Sequence, residues 1–522
     1  MRTAVGFRVR RPLLALALVA LSAAAGEAPP GPAAAEAVTP LDWLRSLPRP
    51  TFREGHTLPP LTRWGWAMSF DVAKELADNW GYAVEFAGYV SAAVSDEALA
   101  NPKGRNGQCL ALVAGNPQRY RLGVLLDRQF PKEMPPEAYL RDAQGSFIQE
   151  KSAPRSLSPE MPEECLKQAA QLSAAGLASL QTRCPIAIIQ NGGEYGLNVL
   201  GFIQTYWEKD PAVVAAKGDR TWYQYISRQK AREQKAVADA VRAATPDRLL
   251  YVFYTCGGNT HRRGTIETFH DDWAWDYADM RACADTATNE YYYRDFNSGW
   301  IGKDDMLSAA LGAKGYELRF AMKNSYDYVC AGYKQDAAAA PPVWDPTQPV
   351  ESEAEAFGDL RLYEGFLKCL YTEGMVGAVA GYFSYPKGGF DTAFSPGKPP
   401  QFLMQMVILG RVHAQFSHLE RYLREGDLLP GPNRHAKVTD QPAYEFPAAR
   451  PNWRVLARRM PREPKWLITA WAADGVEGTA TVEIPELGSI TVQARATGSV
   501  YEATLENGRP ALAPAGGAPP AP

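Results

Sequence analysis

The sequence predicts an α/β fold, a (β/α)8 TIM barrel followed by a small C-terminal antiparallel β-sandwich. Three observations predict it. Between about residues 60 and 425, short β-branched or aromatic runs alternate eight times with amphipathic helical runs. No G-x-G-x-x-G follows the first of them, which argues against an open dinucleotide-binding sheet. After about Pro447 the pattern changes to short apolar–polar alternation broken by turn-formers.

Barrel strands are expected at residues 62–68, 82–86, 121–126, 186–190, 249–254, 290–293, 316–322 and 378–383. Helices are expected at 70–80, near 106–114, and at 162–181, 222–244, 277–284, 304–313, 357–371 and 402–425. Gly81, Gly315 and Gly374 stand where three of those helices stop, since glycine tolerates the left-handed backbone of a C-terminal cap. The span exceeds the roughly 250 residues usual for such a barrel. Residues 127–160, 255–276 and 323–356 are therefore read as long insertions after strands.

The sandwich strands are expected at 453–460, 465–471, 478–484, 489–494 and 499–505. Asp474-Gly475, Leu487-Gly488 and Asn507-Gly508 supply turns. The expected boundaries are 1–37 for a signal peptide and leader, 38–445 for the barrel, 446–512 for the sandwich and 513–522 for an Ala/Pro/Gly-rich disordered tail.

Arg2, Arg8, Arg10 and Arg11 precede an apolar run at 12–21, and small residues follow at 23–25 and 33–37. This is the layout of an export signal, with a mature start expected between about 25 and 38. The run is about half the roughly 20 residues needed to cross a bilayer, so no membrane span is expected. Arg10-Arg11 also admits a twin-arginine reading. The expected location is secreted or periplasmic.

The 522 residues carry 55 Lys+Arg against 58 Asp+Glu, a formal net charge of −3, which excludes a strongly basic nucleic-acid binder. No nucleic-acid partner is expected. Seven cysteines occur without a C-x-x-C, so buried free thiols are the favoured reading, with Cys165 and Cys184 the one candidate pair. His413 and His418 lie five apart, the wrong spacing for H-E-x-x-H, and neither a G-x-S-x-G elbow nor a P-loop is present. No metal or cofactor is expected.

The segment Ile186-Ala-Ile-Ile-Gln-Asn-Gly-Gly-Glu-Tyr-Gly196 is the sharpest chemical signal. An apolar strand ends in a polar cluster, and two glycines allow a tight turn beside Glu194. In a parallel barrel, chemistry sits at the carboxyl ends of the strands, and Glu194 follows strand four there.

At this point the chain resembles the secreted (β/α)8 glycoside hydrolases whose acid/base Glu follows strand four and which often carry a C-terminal β-sandwich. The resemblance covers about 60–425, with no specific family placed. It implies hydrolysis of glycosidic bonds in a polysaccharide or oligosaccharide by two carboxyl groups, a proton donor and a nucleophile or base. That group has an Asn directly before the Glu; here Asn191 is three residues earlier. It also has a nucleophilic Glu after strand seven, where this chain reads Met322-Lys-Asn-Ser-Tyr-Asp327.

The second carboxylate is open among Asp327, Asp295 and Asp272, each expected on the carboxyl-end face. Glu373 closes a helix before a strand and is assigned to the opposite, structural face. Asn191, Trp66, Asp272, Trp273, Tyr293, Asn324 and Tyr385 are expected to bind substrate. Aromatic faces stack on sugar rings, while amides and carboxylates bind hydroxyls. The rival reading is a non-catalytic carbohydrate-binding or structural protein on a glycoside-hydrolase-like barrel.

Overall fold

In the computed structural model the described residues are 39–63, 68–126, 129–149, 155–191, 203–254, 279, 283–288, 290–293, 327–333, 360–382, 401–434 and 442–516. The fold is mixed α/β, with parallel and antiparallel sheets.

The parallel strands are β1 (Thr62–Arg63), β2 (Val84–Val90), β3 (Leu122–Leu126), β4 (Ile186–Asn191), β5 (Leu250–Tyr254), β6 (Thr286–Thr288), β7 (Glu290–Tyr293), β8 (Asp327–Tyr333) and β9 (Met375–Tyr382). They form two sheets, ordered β2-β3-β4-β5-β6 and β1-β9-β8-β7. Leu61, just before β1, bridges in parallel to Tyr82, just before β2. Leu61 N–H donates to Gly81 O at 2.9 Å and Ala83 N–H to Leu61 O at 2.8 Å. One residue separates β6 from β7 in the chain. β1 and β4 do not pair, yet Gln190 Nε2 donates to Thr62 Oγ1 at 2.7 Å in a buried setting.

The helices are α1 (Pro40–Ser46), α2 (Phe70–Asn79), α3 (Ala92–Ala100), α4 (Arg105–Gly115), α5 (Glu163–Gln181), α6 (Ile203–Trp207), α7 (Pro211–Lys217), α8 (Trp222–Ala244), α9 (Leu360–Glu373), α10 (Gln401–His418) and α11 (Glu420–Glu425). Their starts are written in the sequence. Ser69 caps α2, and Thr221 with Gln224 makes a reciprocal capping box on α8. Gly81 follows α2 at φ 80°, as its stop position requires.

One face of β2–β5 is covered by α3, α4, α5 and α8. Val84, Phe86, Leu122, Val124, Leu126, Ile186, Ile189 and Tyr251 pack there against helix residues such as Leu177 and Val241. Each such Leu, Ile or Phe side chain contributes roughly 1.5–3 kcal/mol on burial. A second cluster joins α1, α2, α9 and α10 to Met375, Val376 and Ala378 of β9.

The antiparallel strands are β10 (Asp427–Leu428), β11 (Trp453–Arg459), β12 (Lys465–Ala472), β13 (Gly478–Ile484), β14 (Gly488–Ala494), β15 (Ser499–Glu506) and β16 (Arg509–Pro514). Five form the sheet β10-β11-β12-β15-β16, and β13-β14 is a separate hairpin. This layer is fastened to the helices by Arg458, whose buried guanidinium donates to Thr372 O and Glu373 O at 3.1 Å and to Gly426 O at 2.6 Å. Those carbonyls end α9 and α11, where the last turn of a helix leaves carbonyls unpaired and favours a cation. α9 also carries Gly365 against Trp471, whose Nε1 donates to Ala496 O at 3.0 Å.

Several expectations are corrected. The strand between β7 and β9 is Asp327–Tyr333, inside a stretch read as loop. The expected strand 316–322 lies outside the described residues, as does helix 304–313. Short apolar runs cannot be ranked as strands by periodicity alone; pairing decides. α3 was not expected, because its Ala/Ser-rich turn buries only Ser95 and Ala98 and shows no apolar stripe. Helix 402–425 breaks at Leu419 into α10 and α11. β16 is a sixth strand of this layer after 453, and it carries the sheet into the expected tail at Ala513 and Pro514. Cys165 and Cys184 are each free and buried, so they do not pair.

Candidate functional site

Because β1–β9 run parallel, the segments that follow them leave from one end of each sheet. Glu194 follows the end of β4 by three residues, Trp66 the end of β1 by three, Asp295 the end of β7 by two and Tyr385 the end of β9 by three. Asp272 and Trp273 fall between β5 and β6. All of these, with Asn324, lie outside the described residues. Tyr293 is the last residue of β7.

Two expected site residues sit elsewhere than the sequence suggested. Asp327 is the first residue of β8, paired with Met375 at the start of β9. It therefore opens its strand and belongs to the amino end, opposite the end where Glu194 follows β4. Asn324 precedes β8 in the chain for the same reason. The misplacement follows from taking 316–322 as the seventh strand.

Asn191 is fully buried on the helix-covered face. Its amide donates to Gln234 Oε1 of α8 at 2.7 Å and to Tyr251 OH of β5 at 2.8 Å. Side chains alternate along a strand, so Gln190 and Asn191 face opposite ways. Gln190 reaches Thr62 on the other face, and Asn191 ties the sheet to α8. Asn191 is a structural residue, and burial pushes the Tyr251 phenol beside it upward.

The face opposite the helices carries Thr62 and Gln190 among small and apolar residues. Thr62, Gly123, Leu125, Ile188 and Gln190 share it, with Gly123 paired to Ile188 and Leu125 to Gln190. A Cβ on Gly123 would lie 3.2 Å from both Thr62 Cγ2 and Ala83 Cβ, so the small residue lets three strands converge. Nearby, Arg63 Nε meets Glu85 Oε2 at 2.8 Å, both side chains buried. Burial raises the Glu85 carboxyl to about 7, against the opposing pull of Arg63 and Arg105.

β2 carries a feature that sequence reasoning missed. Glu85 pairs with Gly123 and Tyr89 with Leu125, so β2 takes four steps where β3 takes two. Gly88 within this bulge has φ 82°. Asn106 of α4 clamps it, accepting from Ala87 N–H at 2.8 Å and donating to Ala87 O at 3.0 Å. The signal in the sequence was Gly88 inside a strand pattern, a mark of a bulge.

The segments after β3 and β4 also build a lobe of their own. Met134, Leu140, Ile148, Leu157 and Met161 pack with Trp207, Val213 and Tyr225. Asp210 caps α7 and accepts from Arg141 N–H at 2.8 Å, and Tyr225 OH donates to Glu160 at 2.5 Å. Among the described residues no group of His, Cys, Asp or Glu is arranged to hold a metal ion. No helix among them is long and apolar enough to cross a membrane.

Neither a protein-family profile nor a characterised protein sequence matches the chain. Similar solved structures are glycoside hydrolases. An endo-β-1,4-mannanase from Thermotoga petrophila is 10% identical, over 88% of this chain and 98% of that one, at a TM-score of 0.37. A maltogenic α-amylase from Thermotoga neapolitana is 9% identical, over 90% and 88%, at 0.35. A β-galactosidase from Halorubrum lacusprofundi is 12% identical over 60% of this chain, at 0.35, and the match spans 50% of that enzyme's length. Likeness at this level does not extend to activity or substrate.

Proposed function

We propose that the chain is an exported glycoside hydrolase in which β1–β9 close into a (β/α)8 barrel and Glu194 is the proton donor. The observation that carries the reading is the pairing order. From β2 through β5 each strand pairs with the next in sequence, β7 pairs with β8 and β8 with β9, and β9 pairs back to β1. The Leu61–Tyr82 bridge links β1 to β2, and β6 runs on into β7 after one residue. Taking β6 and β7 as one strand gives eight in cyclic order, and the Gln190–Thr62 bond spans the interior of such a ring. Glu194 then leaves the fourth strand at the catalytic end.

In this mechanism Glu194 protonates the glycosidic oxygen as the C–O bond breaks. A second carboxylate attacks the anomeric carbon or takes a proton from the attacking water. Asp295 and Asp272 are the proposed candidates, because both follow parallel strands, while Asp327 opens one. Trp66, Trp273, Tyr293 and Tyr385 are proposed to line the sugar path. Asn324 comes before its strand and is set aside. The leader at 1–37 is proposed to direct export.

The reading is tested with manno-, galacto-, xylo-, cello- and malto-hexaose, and with the parent polysaccharides. Wild-type chain is expected to shorten at least one, seen as new reducing ends and shorter products by mass spectrometry. Binding without cleavage of any of them would replace the enzyme with a carbohydrate-binding protein.

A further inference from the structure

Among the described residues, two aromatic rings each hold two cations. Tyr120 has Lys74 Nζ at 6.0 Å and the Arg119 guanidinium at 5.2 Å from its ring centroid. Phe147 has the guanidiniums of Arg141 and Arg155, each at 4.4 Å. Like charges so close repel, and the two clusters meet that repulsion differently. At Tyr120 a carboxylate is built in. Asp78 pairs with Lys74 and, at 2.9 Å, with Arg119, and it accepts from Tyr120 OH at 2.5 Å. At Phe147, among the described residues, no carboxylate pairs with either guanidinium, and Arg141 gives one N–H to Gly145 O at 2.8 Å.

The backbone sets this face. In the insertion between β3 and α5, Arg141 bridges antiparallel to Phe147 and Tyr139 to Leu157. Leu140 N–H donates to Ser156 O at 2.9 Å and Ile148 N–H to Leu140 O at 3.1 Å. Leu140 and Ile148 are buried in the core of the lobe, so alternation turns Tyr139, Arg141 and Phe147 to the other side. Tyr139 and Phe147 meet edge to face at 5.7 Å, and Arg155 also lies over Tyr139 at 5.5 Å. Stacking fixes the plane of a guanidinium and leaves its N–H edge for an acceptor. The adjacent carboxylates are aimed elsewhere. Asp142 Oδ1 accepts from Gln144 N–H at 3.0 Å and Ser146 N–H at 2.8 Å. Asp210 accepts from the backbone N–H groups of Arg141, Ala212 and Val213.

We propose that Arg141 and Arg155, stacked on Phe147, form an anion site for the carboxylates of an acidic polysaccharide, one containing uronic acid units. The ligand supplies there what Asp78 supplies at Tyr120. The guanidinium fork matches a carboxylate bidentately. The two forks lie within twice 4.4 Å of each other through Phe147, so a short stretch of acidic chain meets both. A nucleic acid or an anionic membrane is held by the field of many cations, whereas this face has two and the chain a net charge of −3. That the carboxylates are borne by a glycan rests on the glycoside hydrolase reading. The insertion follows β3 at the strand end from which the chain leaves β4 toward Glu194. The site adds affinity for the polymer and takes no part in bond cleavage.

The experiment measures calorimetric binding of hexagalacturonate and hexamannuronate beside cellohexaose and mannohexaose, at low and high salt, with thermal unfolding of each protein. Wild type should bind at least one hexauronate about 10-fold tighter than the neutral hexaoses at low salt, and high salt should narrow the gap. Arg141→Gln and Arg155→Gln should each weaken that binding roughly 5–10-fold and leave melting temperature and neutral-hexaose binding unchanged. The double variant should bind hexauronate no better than neutral sugar. Equal affinity of wild type for acidic and neutral hexaoses overturns the site, as does wild-type affinity in the double variant. A loss shared by the neutral hexaoses also overturns it, because the arginines would then be braces. Equally tight, arginine-dependent binding of single-stranded RNA or of anionic vesicles overturns the choice of partner. Arginine-dependent hexauronate binding by a chain that cleaves no glycan keeps the site and overturns the hydrolase reading; cleavage of a glycan without a preference for uronate does the reverse.

Discussion

Gln190 on β4 donates to Thr62 on β1 at 2.7 Å, across two strands that share no backbone pairing. A flat sheet would hold β1 and β4 well apart, since neighbouring strands are about 4.8 Å from each other. The bond therefore brings the two parallel sheets within hydrogen-bond reach of each other at Thr62 and Gln190. Gln190→Leu is expected to destabilise the chain by roughly 1–3 kcal/mol, because a buried hydrogen-bond partner is left behind. Thr62→Val should cost a similar amount, and the double variant should cost less than the sum by at least about 0.5 kcal/mol. Strict additivity in urea unfolding would mean that the two residues do not cooperate.

Glu85 binds its proton more tightly in the folded chain than in the unfolded one, since burial raises it from 4.5 to about 7. Below its unfolded value both states hold the proton and the group imposes no penalty. As pH rises through the window from 4.5 to about 7, the unfolded state releases the proton first, so stability falls. Above that window the penalty is fully present. Glu85→Gln removes this titration. Denaturation at several pH values should show a smaller loss between pH 4.5 and about 7 in Glu85→Gln than in wild type. Parallel curves would assign the dependence to other groups.

Arg458 joins the antiparallel layer to the ends of α9 and α11 through several backbone carbonyls. Methionine matches the length of the stem but donates nothing. Arg458→Met should lose about 3 kcal/mol or more, because the carbonyls stay buried after their donor is gone. Lysine, with one compact ammonium, should recover less than half of that. Full recovery by Arg458→Lys would show that charge alone matters and that the planar fork does not.

Gly365 is one point of close approach between α9 and the antiparallel layer. A Cβ there would lie 2.1 Å from Trp471 Cδ1 and 2.7 Å from Ala496 O. Alanine favours a helix by about 1 kcal/mol over glycine on propensity alone. Overpacking against a buried indole costs roughly 1–3 kcal/mol and opposes it. Gly365→Ala is therefore expected to lower the melting temperature, with Trp471 fluorescence shifting as the indole moves. A stabilised variant would mean that the interface yields easily.

The register of strand and helix was legible wherever local chemistry and tertiary packing agree. Ser69 and Thr221 announce helix starts, Gly81 a helix stop, and Ile186–Asn191 a strand, since an apolar run of that length has no other place than a core. β8 was illegible because 316–322 and 327–333 are both short apolar runs, and only pairing with β7 and β9 distinguishes them. That single slip moved Asp327 from one end of the sheet to the other. Asn191 was misread for a different reason. Its type suits a sugar hydroxyl, but strand parity turned it toward Gln234. The β2 bulge was overlooked because it is a property of two paired strands, and one strand's sequence carries only the hint of Gly88.

The central claim is that Glu194 donates the proton that breaks a glycosidic bond. It is tested most directly by the turnover of Glu194→Gln beside wild type on the best natural glycan, with oligosaccharide affinity measured in parallel. General acid–base assistance is worth roughly 10²–10⁴-fold. Turnover should fall by about that factor while affinity holds, and a substrate with a good leaving group should lose less in its bond-cleavage step. A Glu194→Gln protein that cleaves the natural glycan at the wild-type rate would contradict the account.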